Sequence, residues 1–447
     1  MSTGRSFSTR IQEGADPGLY TKAFVKIAND PYHPSSNPGG IVGLGVAENL
    51  LMGEELVDLS RRAMTSNLST QDLSYGDDLW GSKRLHRALA GFLNEWFEPY
   101  EEVQPEHIIT SAGLSCSIDQ LTYTLFNPSE GILILRPYYA GFNRDFCKRN
   151  GVKLVGVTHP PSTPSFQRRP QAEEQPKGED EEEQGEDREV RGIVLCNPHN
   201  PTGRVVPRSI VLGYCDFAQR HDLQLISDEI YAQSVFSSSE SSMHEIRGSK
   251  FTSALNLDVE KETGRPFNRS RLHVLYGMSK DFGANGFRIG VLINQDNQEF
   301  IRLMAGMSIF SKISAPADVI FSALLSSEYL STYLLISRER LRVAHDLVET
   351  WFSVRGCTVY RCDAGPFLWV DMGDRLGITT WEEEAQWHTR LFEEGKVYIS
   401  LGATYKSERP GYFRITFAVP ESTLLEGLGR MEKILGLRIS SRSTHEP

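Results

Sequence analysis

Short apolar runs alternate with longer amphipathic stretches through the middle of this chain, and the two spacings predict two kinds of element. Strands are expected at His107–Thr110 (HIIT), Gly131–Arg136 (GILILR), Val152–Val157 (VKLVGV), Gly192–Asn197 (GIVLCN), Leu223–Asp228 (LQLISD) and Leu272–Gly277 (LHVLYG). These runs are apolar almost throughout, as strands buried on both faces are. Between them, Ser117–Phe126 (SIDQLTYTLF) and Arg208–His221 (RSIVLGYCDFAQRH) read as helices. Strands alternating with helices predict an α/β fold with a mostly parallel central sheet and helices on both faces. In such sheets ligands bind beyond the carboxyl ends of the strands.

From about Ile313 the pattern turns helical. Glu328–Gly356 carries apolar residues at helical spacing and predicts one long helix linking two domains. Pro366–Met372 (PFLWVDM), Val397–Gly402 (VYISLG) and Tyr412–Ala418 (YFRITFA) read as strands of a smaller α+β domain. The expected organisation is an N-terminal segment over residues 1–50 that packs on the small domain, a large domain over 51–325 and a small domain over 326–447. A chain of 447 residues suits two domains, because single cores rarely grow beyond roughly 250–300 residues.

Charge narrows the classes of partner. The formal net charge is −11, which disfavours phosphate backbones and anionic lipid, so neither nucleic acid nor membrane is expected. Much of the negative charge sits in Gln171–Arg191, and residues 163–191 read as a disordered acidic insertion. No apolar run approaches membrane-spanning length, and the first residues lack the apolar core of a secretory signal. The six cysteines (Cys116, Cys147, Cys196, Cys215, Cys357, Cys362) show no CxxC spacing. They imply reduced thiols, a cytoplasmic location and no metal site.

The chemistry gathers where the strands end. HVLYGMSKDFGANGFRIG (His273–Gly290) runs from a strand straight into Lys280 and then sets Arg288 between Gly286 and Gly290. A lysine after a strand either lays its stem along the surface or stands in a cationic, partly dry site as a Schiff-base amine. Its company bears on the choice. LCNPHNPTG presents Asn200 after one strand, and LISDEIYA ends the next with Asp228 and continues to Tyr231. Pyridoxal 5'-phosphate needs a lysine for its aldehyde, an aspartate for its ring nitrogen, donors for its phenolate oxygen, and cations plus backbone amides for its phosphate.

At this point the sequence resembles the class I/II aminotransferase superfamily of fold type I pyridoxal-phosphate enzymes, over about Gly40 to Ala418 without the acidic insertion. SKDFGANGFRIG, GIVGLGVAENLL (Gly40–Leu51), RPYYAGFNRD (Arg136–Asp145) and GYFRITFA (Gly411–Ala418) are similar to the branch containing 1-aminocyclopropane-1-carboxylate synthases. The resemblance implies roles residue by residue. Lys280 would hold the cofactor as the internal aldimine and then move the substrate Cα proton. Asp228 would pair with the pyridinium nitrogen, while Asn200 and Tyr231 hydrogen-bond the phenolate oxygen. Tyr139 would stack on the ring. Gly113, Leu114 and Ser115, in the turn SAGLS, would face the phosphate with Ser279 and Arg288. Arg414 would clamp the substrate carboxylate, with Asn200 beside it. A homodimer with its active site at the subunit interface is also implied.

Glu48, in GVAENLL, marks the synthase-like branch, where it would meet the substrate side chain or serve as a second acid or base; a helix-start acid is the plainer reading. Three positions depart from the family. DYHG becomes DLWG, so Leu79 replaces a tyrosine contributed by the neighbouring subunit, with Tyr75 the nearby phenol. The serine of SLSK becomes Gly277, and Ile27 falls where an active-site tyrosine is expected. These departures touch the substrate wall more than the cofactor cradle. The expected activity is that of an aminotransferase or carbon–sulfur lyase of fungal-type specialised metabolism, acting on an L-amino acid or its S-conjugate through an external aldimine and a Cα carbanion. The alternatives are 1-aminocyclopropane-1-carboxylate synthesis from S-adenosylmethionine and a non-catalytic cofactor-binding protein.

Overall fold

A computed structural model describes residues 18–158, 189–236 and 250–438. The strands in chain order are β1 (Val42–Gly43), β2 (Ile108–Ser111), β3 (Gly131–Leu135), β4 (Lys153–Val157), β5 (Val190–Cys196), β6 (Gln224–Asp228), β7 (Leu272–Gly277), β8 (Gly290–Ile293), β9 (Thr358–Val359), β10 (Phe367–Asp371), β11 (Val397–Tyr398), β12 (Ser400–Leu401) and β13 (Tyr412–Thr416).

Seven of them form the central sheet in the order β2-β8-β7-β6-β5-β3-β4. All neighbours run parallel except β8, which is antiparallel to both β2 and β7. The six strands expected from apolar runs are all in this sheet; the seventh, β8, has only four residues and follows directly on the glycine-rich lysine segment. Its entry as an antiparallel strand turns Arg288 back toward the sheet's ligand edge. One apolar cluster, with Leu89, Val211, Leu225, Val274 and Phe321, packs one face of the sheet. A second, with Ile118, Leu121, Phe142, Ile226 and Leu292, packs the other. Residue parity along β6 and β7 explains the split, since successive side chains point to opposite faces.

Two corrections apply to the sequence boundaries. The acidic insertion was expected to extend through Arg191, but Val190 and Arg191 open β5, where Val190 pairs with Gly131. Val190 packs half-buried against the large apolar cluster there, and Arg191 reaches Glu189 at 3.3 Å. The rest of the insertion, residues 163–188, lies outside the described residues. The helix expected from Ser117 begins at Leu114, which brings its first turn to the end of β2.

The long helix Leu330–Ser353 is shared between cores. Leu330, Tyr333 and Leu334 join the large cluster, whereas Leu341, Val348 and Phe352 join a cluster with Leu368, Val370, Ile415 and Phe417. Val42 and Leu44 belong to that second cluster as well, and β1 pairs in parallel with β11. The smaller sheet runs β12-β13-β10-β9. Among the described residues, no single helix is long and apolar enough to cross a membrane.

Candidate active site

The ends of β5, β6 and β7, the start of helix Leu114–Leu125 and the chain after β1 meet in one place. Lys280 stands three residues beyond β7, and its Nζ donates to the carbonyl of Ala47 at 2.6 Å. Burial, with help from the Arg414 and Arg288 charges, lowers its pKa to about 8, while Glu48 and Asp228 pull the other way. An amine in that range is free for nucleophilic and proton-transfer work near neutral pH. Asp228 closes β6 opposite Cys196 of β5. Burial lifts its carboxyl to about 7, with the Asp145 charge adding to the rise; the Ile230 N–H, 3.2 Å from Oδ1, and Lys280 oppose it. A carboxylate held this way gains from a cationic N–H, which a protonated pyridine ring would provide.

Arg414 is the largest fully buried side chain among the described residues. It lies in the middle of β13, between Trp369 of β10 and Ser400 of β12. Nη1 donates to Asn200 Oδ1 at 3.0 Å and Nη2 to the Gly45 carbonyl at 2.7 Å. The guanidinium is sandwiched between the rings of Phe367 and Tyr405, at 4.7 and 4.9 Å. Its Nε has no hydrogen-bond partner, and among the described residues no carboxylate forms an ion pair with it. Burying an unpaired charge costs several kcal/mol, so the geometry suits an anion that arrives with the ligand. Asn200 accepts from Arg414 through Oδ1, which leaves its amide N–H₂ to donate to a ring oxygen.

The phosphate end is built from backbone. Gly113, at φ +93°, caps the helix that starts at Leu114. A Cβ at Gly113 would stand 2.2 Å from Arg288 Nη2, so the arginine fork lies directly against the helix start. Free N–H groups of a first turn beside a guanidinium form an anion site. Arg288 itself holds a left-handed backbone at φ +56°, a strain of the kind that clusters at functional positions. Ser279 is buried nearby in sequence. The Ser115 hydroxyl departs from expectation: it donates to Asp145 Oδ2 at 3.0 Å rather than standing free for a phosphate. Asp145 is buried and takes that donor along with Arg144 Nε at 2.8 Å. What Ser115 presents at the helix start, like Leu114, is its backbone N–H.

Tyr231 is buried with its ring edge-on to Phe367 at 5.4 Å. Burial holds its phenol well above the usual range, with Arg414 as the opposing charge. Tyr139 is folded over Gly141 and meets Phe142 edge-on at 5.3 Å. Glu48 accepts from Asn285 Nδ2 at 3.3 Å and its charge reaches Lys280.

The three departures resolve differently. A Cβ at Gly277 would come 2.6 Å from the Ile289 carbonyl, so this chain has no room for the family serine. Leu79 and Tyr75 are both exposed, at 40% and 78%, on a loop that Lys312 ties down through the carbonyls of Tyr75 and Asp78. Ile27 is half-buried and packs against the small cluster of Ala23, Ile41, Phe392 and Tyr398. Sequence reasoning missed the carbonyls of Gly45 and Ala47, which no side-chain type reveals. It also missed Asp145, Phe367 and Tyr405, although Asp145 stood inside a motif already singled out.

A lysine of lowered pKa, a buried aspartate, a helix start with an arginine beside it and a carboxylate-free buried guanidinium define a pyridoxal-phosphate site on an aminotransferase-type fold. Residues 40–431 match the Aminotransferase class I and II family, and the chain belongs to that family. It is 33% identical over 405 residues to a protein named Probable aminotransferase gliI from Aspergillus fumigatus, with 89% of each chain covered. It is 31% identical over 418 residues to 1-aminocyclopropane-1-carboxylate synthase 6 of Oryza sativa subsp. japonica, covering 90% of this chain and 73% of that one. A Thermus thermophilus aspartate aminotransferase double mutant shares the fold at a TM-score of 0.73 and 21% identity, over 96% of this chain and 100% of that chain. The protein is a pyridoxal-phosphate-dependent enzyme of the class I/II aminotransferase family, akin to its 1-aminocyclopropane-1-carboxylate synthase branch.

Proposed function

We propose that the enzyme binds an L-amino acid or its S-conjugate by the α-carboxylate and breaks the Cα–H bond, as an aminotransferase or carbon–sulfur lyase. The observation that carries this is Arg414, a buried guanidinium with two protein acceptors, an unpartnered Nε and no carboxylate of its own. Bidentate capture of a carboxylate there would fix the substrate about two bonds and so orient Cα–H. Pyridoxal phosphate, when bound, supplies an aldehyde for the substrate amine and an electron sink for the bond broken at Cα. Lys280 takes and returns the proton at Cα, and its pKa of about 8 suits both directions near neutrality. Asp228 holds a proton at the ring nitrogen. Asn200 and Tyr231 would donate to the phenolate oxygen, Tyr139 would cover the ring, and Gly113, Leu114, Ser115, Ser279 and Arg288 would hold the phosphate.

Glu48 keeps the second reading in play. A carboxylate whose charge acts on Lys280 can bind a sulfonium or move a second proton, as cyclopropane formation needs. Against that reading, Leu79 offers no hydroxyl where the synthase-like branch has one. The enzyme would act as a cytoplasmic homodimer in specialised metabolism. Support for the dimer comes from the exposed apolar side chains Leu73, Tyr75, Ile309 and Phe310, large apolar groups of the kind an interface covers. The reaction is tested by incubating the holoenzyme with S-adenosylmethionine, cysteine thioether conjugates, and L-amino acids with a keto acid. Keto-acid-dependent amine transfer identifies an aminotransferase, and pyruvate with ammonia from a thioether identifies a lyase. A cyclopropane amino acid from S-adenosylmethionine would refute the proposal in favour of the second reading, and no turnover with an intact visible cofactor band would leave a binding protein.

A further inference from the structure

Lys280 is followed by Asp281, an acid that the reaction does not use and that is nonetheless buried, at 2% exposure. Its carboxylate collects three donors. Gln233 N and the Tyr276 hydroxyl reach Oδ2 at 2.8 and 2.9 Å, and the Ser234 hydroxyl bonds Oδ1. Tyr276 belongs to β7, the strand that delivers Lys280. Gln233 and Ser234 belong to the turn after β6, in which Ser234 N donates to the Tyr231 carbonyl at 3.0 Å. From the far side Arg338, on the long helix, clasps the same turn, with Nε on the Gln233 carbonyl at 2.9 Å and Nη2 on Gln233 Oε1 at 2.5 Å. Every hydrogen-bond donor to the carboxylate therefore belongs to either the lysine's strand or the phenol's turn, and Arg338 adds a charge from the long helix.

We propose that Asp281 is a positioning residue that locks the backbone of Lys280 to the Tyr231–Ser234 turn, so that the catalytic amine and the phenol are held as one rigid unit. The inference rests on the reading of Lys280 and Tyr231 given above. Geometry rather than charge is the means. The charges that act most on the Lys280 amine are Arg414, Glu48, Arg288 and Asp228, not the carboxylate next to it in sequence. Burial raises the Asp281 carboxyl to about 6, and its three hydrogen bonds and Arg338 hold it down from going further. An amide at this place keeps the network: its oxygen accepts from Gln233 N and Tyr276, and its N–H₂ donates to Ser234, whose hydroxyl accepts as readily as it donates.

The test compares Asp281→Ala and Asp281→Asn holoenzymes by the pH titration of the Lys280-dependent visible band, by kcat and KM, and by thermal melting. Misplacing a catalytic group by about an ångström costs about 10²-fold, so Asp281→Ala should lose about that factor in kcat, with KM within about threefold, and shift the band's pKa. Asp281→Asn should restore kcat and the band to near the unaltered enzyme. Asp281→Ala combined with Tyr231→Phe should lose less than the product of the two single losses, as coupled residues do. Should Asp281→Ala fail to fold, Ser234→Ala with Tyr276→Phe removes two of the three donors, and the same band shift is expected. The inference is overturned if the alanine variant only melts earlier while band and kcat stay put, if the asparagine variant behaves like alanine, or if the double loss is the full product. Absence of a visible band in the unaltered enzyme would instead overturn the underlying reading.

Discussion

Replacing Arg414 by lysine keeps the positive charge and removes the fork. In the structure the fork spans Asn200 Oδ1 at 3.0 Å and the Gly45 carbonyl at 2.7 Å, with its Cζ 4.7 and 4.9 Å from the ring centres of Phe367 and Tyr405. An ammonium is one point donor group and cannot satisfy both acceptors and also present two parallel N–H bonds to a carboxylate. The loss is one charge-assisted hydrogen bond, contributing about 1.5–3 kcal/mol, and a stacking term of about 0.5–1 kcal/mol. Together these give about 2–4 kcal/mol, or roughly a 30- to 10³-fold drop in kcat/KM. The assay is the half-reaction with L-amino acids and with their decarboxylated amines, such as L-phenylalanine against 2-phenylethylamine. Arg414→Lys should lower kcat/KM for the acid by that factor and leave the amine almost unaffected, since only the acid uses the clamp. Equal losses on acid and amine, or no loss, would refute the reasoning.

Gly277→Ser restores the family hydroxyl but drives Cβ to 2.6 Å from the Ile289 carbonyl; it should destabilise the fold by about 1–3 kcal/mol and lower Tm without tightening cofactor retention. Asp228 carries a pH signature in the cofactor-free protein: its folded pKa of about 7 stands above the unfolded value near 3.8, so the unfolded chain releases its proton first and stability falls as pH rises from about 4 to 7. The Asp228→Asn difference in unfolding free energy, from denaturant titrations, should grow over that window, to at most about 4 kcal/mol at 1.36 kcal/mol per unit, and level off above it; a pH-independent difference would contradict the burial argument. Sedimentation should give about twice the chain mass of 50.3 kDa, and Phe310→Asp, at a position 88% exposed, should shift it toward one chain.

The central sheet was legible because buried strands are apolar on both faces, and six such runs stand out against amphipathic helices. β8 was not, since four residues bounded by the lysine segment carry too little pattern to separate from a loop. The positions of Lys280, Asp228, Asn200 and Arg414 were legible because each side chain has a distinctive chemistry at a strand end or on a strand. What the sequence could not show is which neighbour takes which hydrogen bond. The Ser115 hydroxyl looked like a phosphate ligand until Asp145, thirty positions along, took its hydrogen bond and left only the backbone amide for that role. Gly277 looked like a lost ligand until the antiparallel return of β8 put the Ile289 carbonyl where a side chain would go. Carbonyl acceptors such as Gly45 leave no mark in sequence at all.

The claim beneath all of this is that the amine of Lys280 carries the cofactor. Purified protein incubated with pyridoxal phosphate, reduced with borohydride and digested should yield one pyridoxyl-modified peptide, and the modified residue should be Lys280. Label spread over several lysines, or retained in full by Lys280→Ala, would contradict it.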